Sequence, residues 1–282
     1  MCDTCGCSIT DGNRHLLAPP GGRAGLGASP AKILASLLRH NDAQAEANRA
    51  RLDGHGVLAI NLMSSPGSGK TALLEATIRA LGDSPRVAVI EGDLETENDA
   101  ERIRALGVPA HQITTGTACH LDAHLVSQAL DQLDLDGLDL LFIENVGNLV
   151  CPASFDLGHH RNVALLSATE GDDKPAKYPV MFRAADLMLV SKTDLLAYLP
   201  EFSPERAETC LRDLASDAPA LRLSAKTGAG LGAWMGWLEG ELERYRALRQ
   251  AGKTLLPRIQ PEGRALHRIG PEISFVPVAK SP

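Results

Sequence analysis

The sequence predicts an α/β fold in which helices flank a mostly parallel central sheet. Short apolar runs at Val57–Met63, Val87–Ile90, Leu138–Ile143, Val163–Leu166, Leu187–Val190 and Ala220–Leu223 alternate with helical or loop segments. That rhythm is the signature of parallel strands joined by crossovers. Length agrees, since 282 residues with 44% apolar and 22% charged side chains suffice for one sizeable core. A third observation is the glycine-rich turn that joins the first run to a helical pattern at Ala72–Leu81.

Taken in chain order, residues 1–29 are expected to form a flexible leader. It holds three cysteines within its first seven residues and a Gly/Pro-rich stretch from Pro19 to Pro30. A helix from about Ala31 to Leu52 follows, with Ile33, Leu34, Leu37 and Leu38 as a short apolar stripe. The main domain is expected over residues 30–250, closing with a helix at Leu231–Arg249 that carries Trp234, Leu238, Leu242 and Tyr245. Five prolines from Pro257 to Pro282 make residues 251–282 read as an irregular tail.

The glycine-rich turn is Ser64-Ser65-Pro66-Gly67-Ser68-Gly69-Lys70-Thr71, placed between strand and helix as a phosphate-binding loop requires. Backbone amides of Ser65, Gly67, Ser68 and Gly69 can turn onto phosphate oxygens, aided by the helix dipole. Lys70 would reach the β- and γ-phosphates and Thr71 would hold Mg²⁺. Ser64 stands where the usual pattern has its first glycine. The run Leu140–Ile143 ends in Glu144 and is followed by Gly147, the positions of a second Mg²⁺ contact and a γ-phosphate sensor. Asp93, after the Val87–Ile90 run, is a candidate for Mg²⁺ or for the attacking water, or else a solvated loop acid.

Base choice is read from Ser191-Lys192-Thr193-Asp194. A carboxylate at Asp194 can accept from the guanine N1–H and exocyclic amine, and the Lys192 stem can cover the ring. Ser224-Ala225-Lys226 matches a loop that closes over guanine. GTP is therefore expected rather than ATP. Ser191 replaces the usual Asn.

The cysteines suggest a metal. Cys2, Cys5 and Cys7 have the spacing C-x-x-C-G-C, in which thiolates three apart can chelate one ion and Gly6 permits Cys7 to join. Such a set suits nickel with a fourth nitrogen ligand, or zinc if tetrahedral. In Thr117–His124, His120 and His124 would share a face if the stretch is helical. Cys151 follows Gly147 by four residues, so at most ~14 Å of extended chain separates them. Cys210 reads as a buried structural thiol, and His159-His160 as a surface pair.

A net charge of −7, from 28 basic and 35 acidic residues, argues against nucleic acid as the main partner. No apolar run reaches the roughly 18–20 residues of a membrane span. The N-terminal residues lack a signal-peptide pattern, so a cytoplasmic location with reduced thiols is expected.

With these residues assembled, the sequence resembles the hydrogenase nickel-incorporation GTPases, HypB. The resemblance rests on Ser64–Thr71, Glu91-Gly92-Asp93, Cys119-His120, Glu144-Asn145-Val146-Gly147-Asn148-Leu149-Val150-Cys151-Pro152, Thr169-Glu170-Gly171 and Lys174-Pro175, over roughly residues 30–250. It implies a dimerising P-loop GTPase with Mg²⁺, a tight N-terminal nickel site, and a weaker nickel or zinc site built from Cys119, His120 and Cys151. It further implies a HypA-type accessory protein as partner and the hydrogenase large subunit as acceptor. Alternatives are a urease-type accessory GTPase, disfavoured by the C-x-x-C-G-C and Glu144–Pro152 strings, and a regulatory GTPase with structural zinc. An ATP-dependent nickel-insertion enzyme is disfavoured by Lys192 and Asp194.

Overall fold

The computed structural model describes residues 30–258, except 83, 94–97, 117–119 and 215, and of 30–37 only the backbone. Cys2, Cys5, Cys7 and Cys119 lie outside the described residues, as does 259–282.

Helix α1 (Pro30–His55) precedes a seven-stranded sheet of order β3-β2-β4-β1-β5-β6-β7 in which every pairing is parallel. The strands are β1 (Leu58–Ser64), β2 (Val87–Asp93), β3 (Ala110–Thr114), β4 (Leu140–Glu144), β5 (Arg161–Ser167), β6 (Leu187–Ser191) and β7 (Ala220–Arg222). Six match the apolar runs. The additional strand β3 is a half-buried edge whose HQIT sequence lacks a continuous apolar run, so the sequence signal was weak there.

Strands β1, β2, β4, β5 and β6 are buried on both faces, as helix-covered parallel sheets require. On one face, Leu58, Ile60 and Leu62 pack with Leu73, Leu74 and Ile78 of α2 (Lys70–Leu81) and with Trp234, Leu238 and Leu242 of α8 (Leu231–Gln250). On the other, Val57 and Ala59 meet Leu52 of α1 and Val126, Ala129 and Leu130 of α4 (Ala123–Leu130). A third cluster joins Met63, Ala164 and Leu166 to Met181 and Phe182 of α6 (Pro179–Ala184) and Leu211 of α7 (Pro204–Asp213). The short helices α3 (Asn98–Arg104) and α5 (Lys174–Lys177) complete the layers. No helix among the described residues is long and apolar enough to cross a membrane.

Two expectations are corrected. His159 and His160 are buried, not a surface pair. The His160 ring packs against Tyr245, accepts the Ala59 amide at Nδ1 and faces Asp53 at Nε2, so it ties α1, β1 and α8 together. Cys210 is half-buried, because α7 is a strongly amphipathic surface helix whose buried residues are Pro204, Ala207 and Leu211.

Candidate functional site

The loop from β1 to α2 turns on Gly67 (φ 72°) and Gly69 (φ 96°), left-handed conformations that glycine adopts without a Cβ penalty. Gly69 is also the N-cap of α2 and brings no side chain to it, leaving the first-turn amides and the helix dipole directed at the space above the loop. Lys70 Nζ donates to Ser64 Oγ at 3.1 Å, and Ser64 Oγ donates to Ser65 O at 2.8 Å. The serine at the first-glycine position thus anchors the lysine.

Above this loop lies a cleft of about 360 Å³ lined by Gly67, Lys70, Thr71, Asp93, Glu144 and Gly147. Thr71 Oγ1 donates to Glu144 Oε1 at 3.0 Å, and Lys70 Nζ stands 3.8 Å from the same oxygen. Glu91, which the sequence offered only through the family resemblance, sits directly beside Glu144 in the β2–β4 register. Both carboxylates are almost fully buried and each has an oxygen with no hydrogen-bond partner, Glu91 Oε1 and Glu144 Oε2. Burial, and then the Glu144 charge, pushes the Glu91 carboxyl far above the usual carboxylate range. Burial raises Glu144 as well, with Lys70 opposing. Two crowded carboxylates next to a hydroxyl fit a hard divalent cation, which takes its remaining ligands from phosphate and water. The signal for Glu91 was the one that revealed Glu144: an acid ending an apolar strand, here Val87-Ala88-Val89-Ile90-Glu91. A Cβ on Gly147 would come within 2.8 Å of Pro66 Cα and N, so the segment after β4 touches the phosphate loop.

A second cavity of about 240 Å³ adjoins the loop and is lined by Ser68, Lys192, Asp194, Ser224, Ala225 and Lys226. Ser224 Oγ donates to Asp194 Oδ1 at 2.6 Å, fixing that carboxylate. Ser191 Oγ donates to Ser68 O at 2.7 Å and Lys192 Nζ to Gly67 O at 2.7 Å. Ser191, unexplained by sequence, therefore pins the phosphate loop from β6. A larger cavity of about 500 Å³, lined by Arg86, Pro109 and Asp136 among others, lies near the opposite strand ends and holds none of the candidate residues.

The candidate metal segment is arranged differently from expectation. His120 and His124 do not share a helical face: Asp122 caps α4 by accepting the Leu125 amide, so the helix starts at Ala123 and His120 lies in the bend before it. His124 sits on α4 with its Nε2 3.1 Å from Gln128. His120 stacks on Phe155 with ring centroids 4.0 Å apart. Phe155 ends the short 3-10 helix Cys151–Ser154, so the His120 bend and the Cys151 segment are neighbours. Burial lowers the His120 pKa, which keeps the imidazole neutral and able to ligate. Among the described residues no group of three or more His, Cys, Asp or Glu is placed to hold a metal.

This bend is fastened to the nucleotide cleft twice. The Leu121 amide donates to Asn145 Oδ1 at 3.2 Å, directly after Glu144. The Leu121 side chain lies where a Cβ on Gly92, between Glu91 and Asp93, would meet it at 2.8 Å.

Comparison with known proteins gives the family. Residues 58–222 match the family model described as CobW/HypB/UreG, nucleotide-binding domain. The hydrogenase maturation factor HypB of Azotobacter chroococcum mcd 1 is 52% identical over 234 residues, covering 80% of this chain and 76% of its own. HypB from Helicobacter pylori in complex with nickel superposes with a TM-score of 0.70 at 42% identity, over 73% of this chain and 96% of that one. The HypB maturation factor from Archaeoglobus fulgidus gives a TM-score of 0.68 at 40% identity, over 73% and 100%. On the match over residues 58–222 and these identities and coverages, the chain belongs to the HypB hydrogenase maturation factors of the CobW/HypB/UreG family.

Proposed function

We propose that the protein is a GTP-hydrolysing nickel metallochaperone that helps to insert nickel into the large subunit of a [NiFe]-hydrogenase. The observation that carries this reading is the double attachment of the His120 bend to the acid-bearing strand ends, through Asn145 and through Leu121 on Gly92. It joins a nucleotide cleft to a candidate metal segment.

In this reading Lys70 and the loop amides of Ser65, Gly67, Ser68 and Gly69 hold the β- and γ-phosphates. Thr71 and Glu144, with Asp93 nearby, hold Mg²⁺, which neutralises developing phosphate charge when bound. Asp93 positions the attacking water, and Gly147 reports the γ-phosphate through its amide. Asp194, Ser224, Ala225, Lys226 and the Lys192 stem select guanine. Cys2, Cys5 and Cys7 form the tighter nickel site of a leader over residues 1–29. Cys119, His120 and Cys151 supply a weaker site for nickel or zinc, which a GTP-dependent homodimer would complete across its two-fold axis. Family kinship with hydrogenase maturation factors supports a HypA-type accessory protein as partner, the hydrogenase large subunit as acceptor and a cytoplasmic setting. The nickel-bound Helicobacter pylori relative supports nickel as cargo.

The test is nickel titration of the purified chain carrying Cys2→Ser, Cys5→Ser and Cys7→Ser against a chromogenic chelator, with a non-hydrolysable GTP analogue, with GDP and without nucleotide, alongside GTP/ATP competition. Nickel affinity should differ between the GTP and GDP states, and GTP should displace ATP. Equal nickel affinity in all states, or equal hydrolysis of both nucleotides, would refute the reading.

A further inference from the structure

Helix α1 is fastened to α4 and to the segment before β5 by buried polar side chains. Asn41 and Asn48, seven residues apart and so on one face of α1, are each only 2% exposed. The Asn41 Nδ2 donates to Asp156 O at 2.8 Å, and its Oδ1 accepts the Ala123 amide at 2.9 Å. The Asn48 Nδ2 donates to Ala123 O at 2.7 Å and to Leu157 O at 3.1 Å, while Gln44 Nε2 donates to its Oδ1 at 3.0 Å. Each side chain therefore bridges the same two pieces of chain. One is Ala123, the first residue of α4, three beyond His120. The other is Asp156–Leu157, which follows the Cys151–Phe155 stretch directly.

The backbone of the second piece presses onto the helix. A Cβ on Gly158, whose φ is +88°, would lie 2.5 Å from Asn48 Cβ and 2.6 Å from Ala45 O. Arg49 adds a buried two-pronged pair to Asp156 at 2.7 and 2.6 Å and donates to His159 O at 3.2 Å. An apolar helix face would have buried the same area without desolvating the two asparagine amides. What buried amides add is direction, since each N–H and each oxygen lone pair takes its partner at a defined place.

We propose that Asn41 and Asn48 are positioning residues, which hold the His120 bend and the Cys151 segment at the spacing a shared metal ion requires. The inference rests on the metal reading above and adds to it which residues set the site's geometry. Neither asparagine touches the ion; each acts on the chain beside a candidate ligand. Groups that orient metal ligands from behind typically change affinity 10- to 100-fold when removed.

The experiment uses the full chain carrying Cys2→Ser, Cys5→Ser and Cys7→Ser, so that one site remains to be titrated. Asn41→Ala and Asn48→Ala are made singly in this background, each keeping the other's bridge, and combined only if both singles fold. Arg51→Ala is the control: Arg51 also ties α1 to α4, but at the far end, through Leu130 O at 3.0 Å and Asp131 at 2.5 Å. Nickel affinity is read by chelator competition, local order by hydrogen exchange at 121–125 and 155–160, and GTP turnover in parallel. Each asparagine variant should bind nickel about 10- to 100-fold more weakly and exchange faster at both segments. GTP turnover should persist in both, since neither residue borders the cleft, and any change in it should be no larger than the loss of nickel affinity, because it can reach the cleft only through the Leu121 contacts. Arg51→Ala should leave nickel binding unchanged. Unaltered nickel affinity in both asparagine variants, or an equal loss in Arg51→Ala, overturns the proposal. A triple-serine parent that binds no nickel at all refutes the site itself; faster exchange in the asparagine variants would then show that the bridges are real and the metal reading is what failed.

Discussion

Replacing Gly147 with alanine isolates what the contact between the segment after β4 and the phosphate loop contributes. Gly147 is not among the positive-φ glycines, so alanine introduces no backbone strain and the effect is steric. The added Cβ would stand 2.8 Å from Pro66 Cα and N and 3.0 Å from Pro66 Cγ. Non-bonded carbons settle at about 3.5–4.0 Å, so the two loops must part by roughly 0.7–1.2 Å. A displacement of about 1 Å in the reacting geometry can cost on the order of 10²-fold in rate. We expect kcat for GTP to fall about 10- to 100-fold, the lower figure applying if Pro66 yields part of the distance. GDP, which has no γ-phosphate, should bind within about threefold of the parent. Single-turnover hydrolysis and fluorescent-GDP titration give the two numbers. A kcat within twofold of the parent would show that this approach has no part in setting the reacting geometry.

Lys70→Ala should reduce GTP hydrolysis on the order of 10²-fold or more with the fold intact by circular dichroism, and near-normal turnover would remove Lys70 from the catalytic set. Asp194→Asn should shift preference from GTP toward xanthosine triphosphate, because the fixed acceptor gains a donor; unchanged GTP affinity in competition would reduce Asp194 to a turn residue. Burial holds the His159 pKa at about 4, below the 6.5 of an unfolded chain. The unfolded state thus binds more protons between these values, and His159 contributes stability that is full above pH 6.5 and gone below pH 4, at most about 3 kcal/mol. Asp186, raised by burial to about 6 from 3.8, works oppositely and loses its contribution as pH climbs from 3.8 to 6. In urea titrations, His159→Asn should therefore flatten the decline from pH 6.5 to 4 relative to the parent, and an identical slope would contradict the assignment.

The parts of the molecule written in local chemistry could be read from the sequence. Both the glycine turn before Lys70 and the apolar strand ending at Glu144 depend on neighbouring residues, and their spacing is enough to place them. Strand β3 was not legible, because an edge strand covered on one side needs no apolar run and His111 and Gln112 mask it. His159 and His160 misled for a related reason. A polar dipeptide is ordinarily exposed; here α1, more than 100 residues away in sequence, covers it through Arg49 and Asp53, and Tyr245 of α8 packs on the His160 ring. Whether His120 and His124 share a helical face was left open by the sequence and is decided by Asp122, whose carboxylate caps α4 so that the helix starts at Ala123, after His120. Ser191 departed from its pattern in sequence yet has a definite partner in Ser68 O. That bond depends on strand order, which no local motif encodes.

The grip of β6 on the phosphate loop also bears on how errors in nucleotide choice would show themselves. Ser191 and Lys192 hold Ser68 O and Gly67 O from the same strand end that leads to Asp194. In the proposed reading, recognition of the purine and alignment of the triphosphate are therefore joined through this strand end and are not two independent subsites. A nucleotide with the wrong base would disturb the strand end and, through these two bonds, tilt the loop on which the γ-phosphate rests. Discrimination would then appear as slow turnover of a bound but misaligned substrate. A surplus of the wrong nucleotide could occupy the cleft without driving the cycle forward.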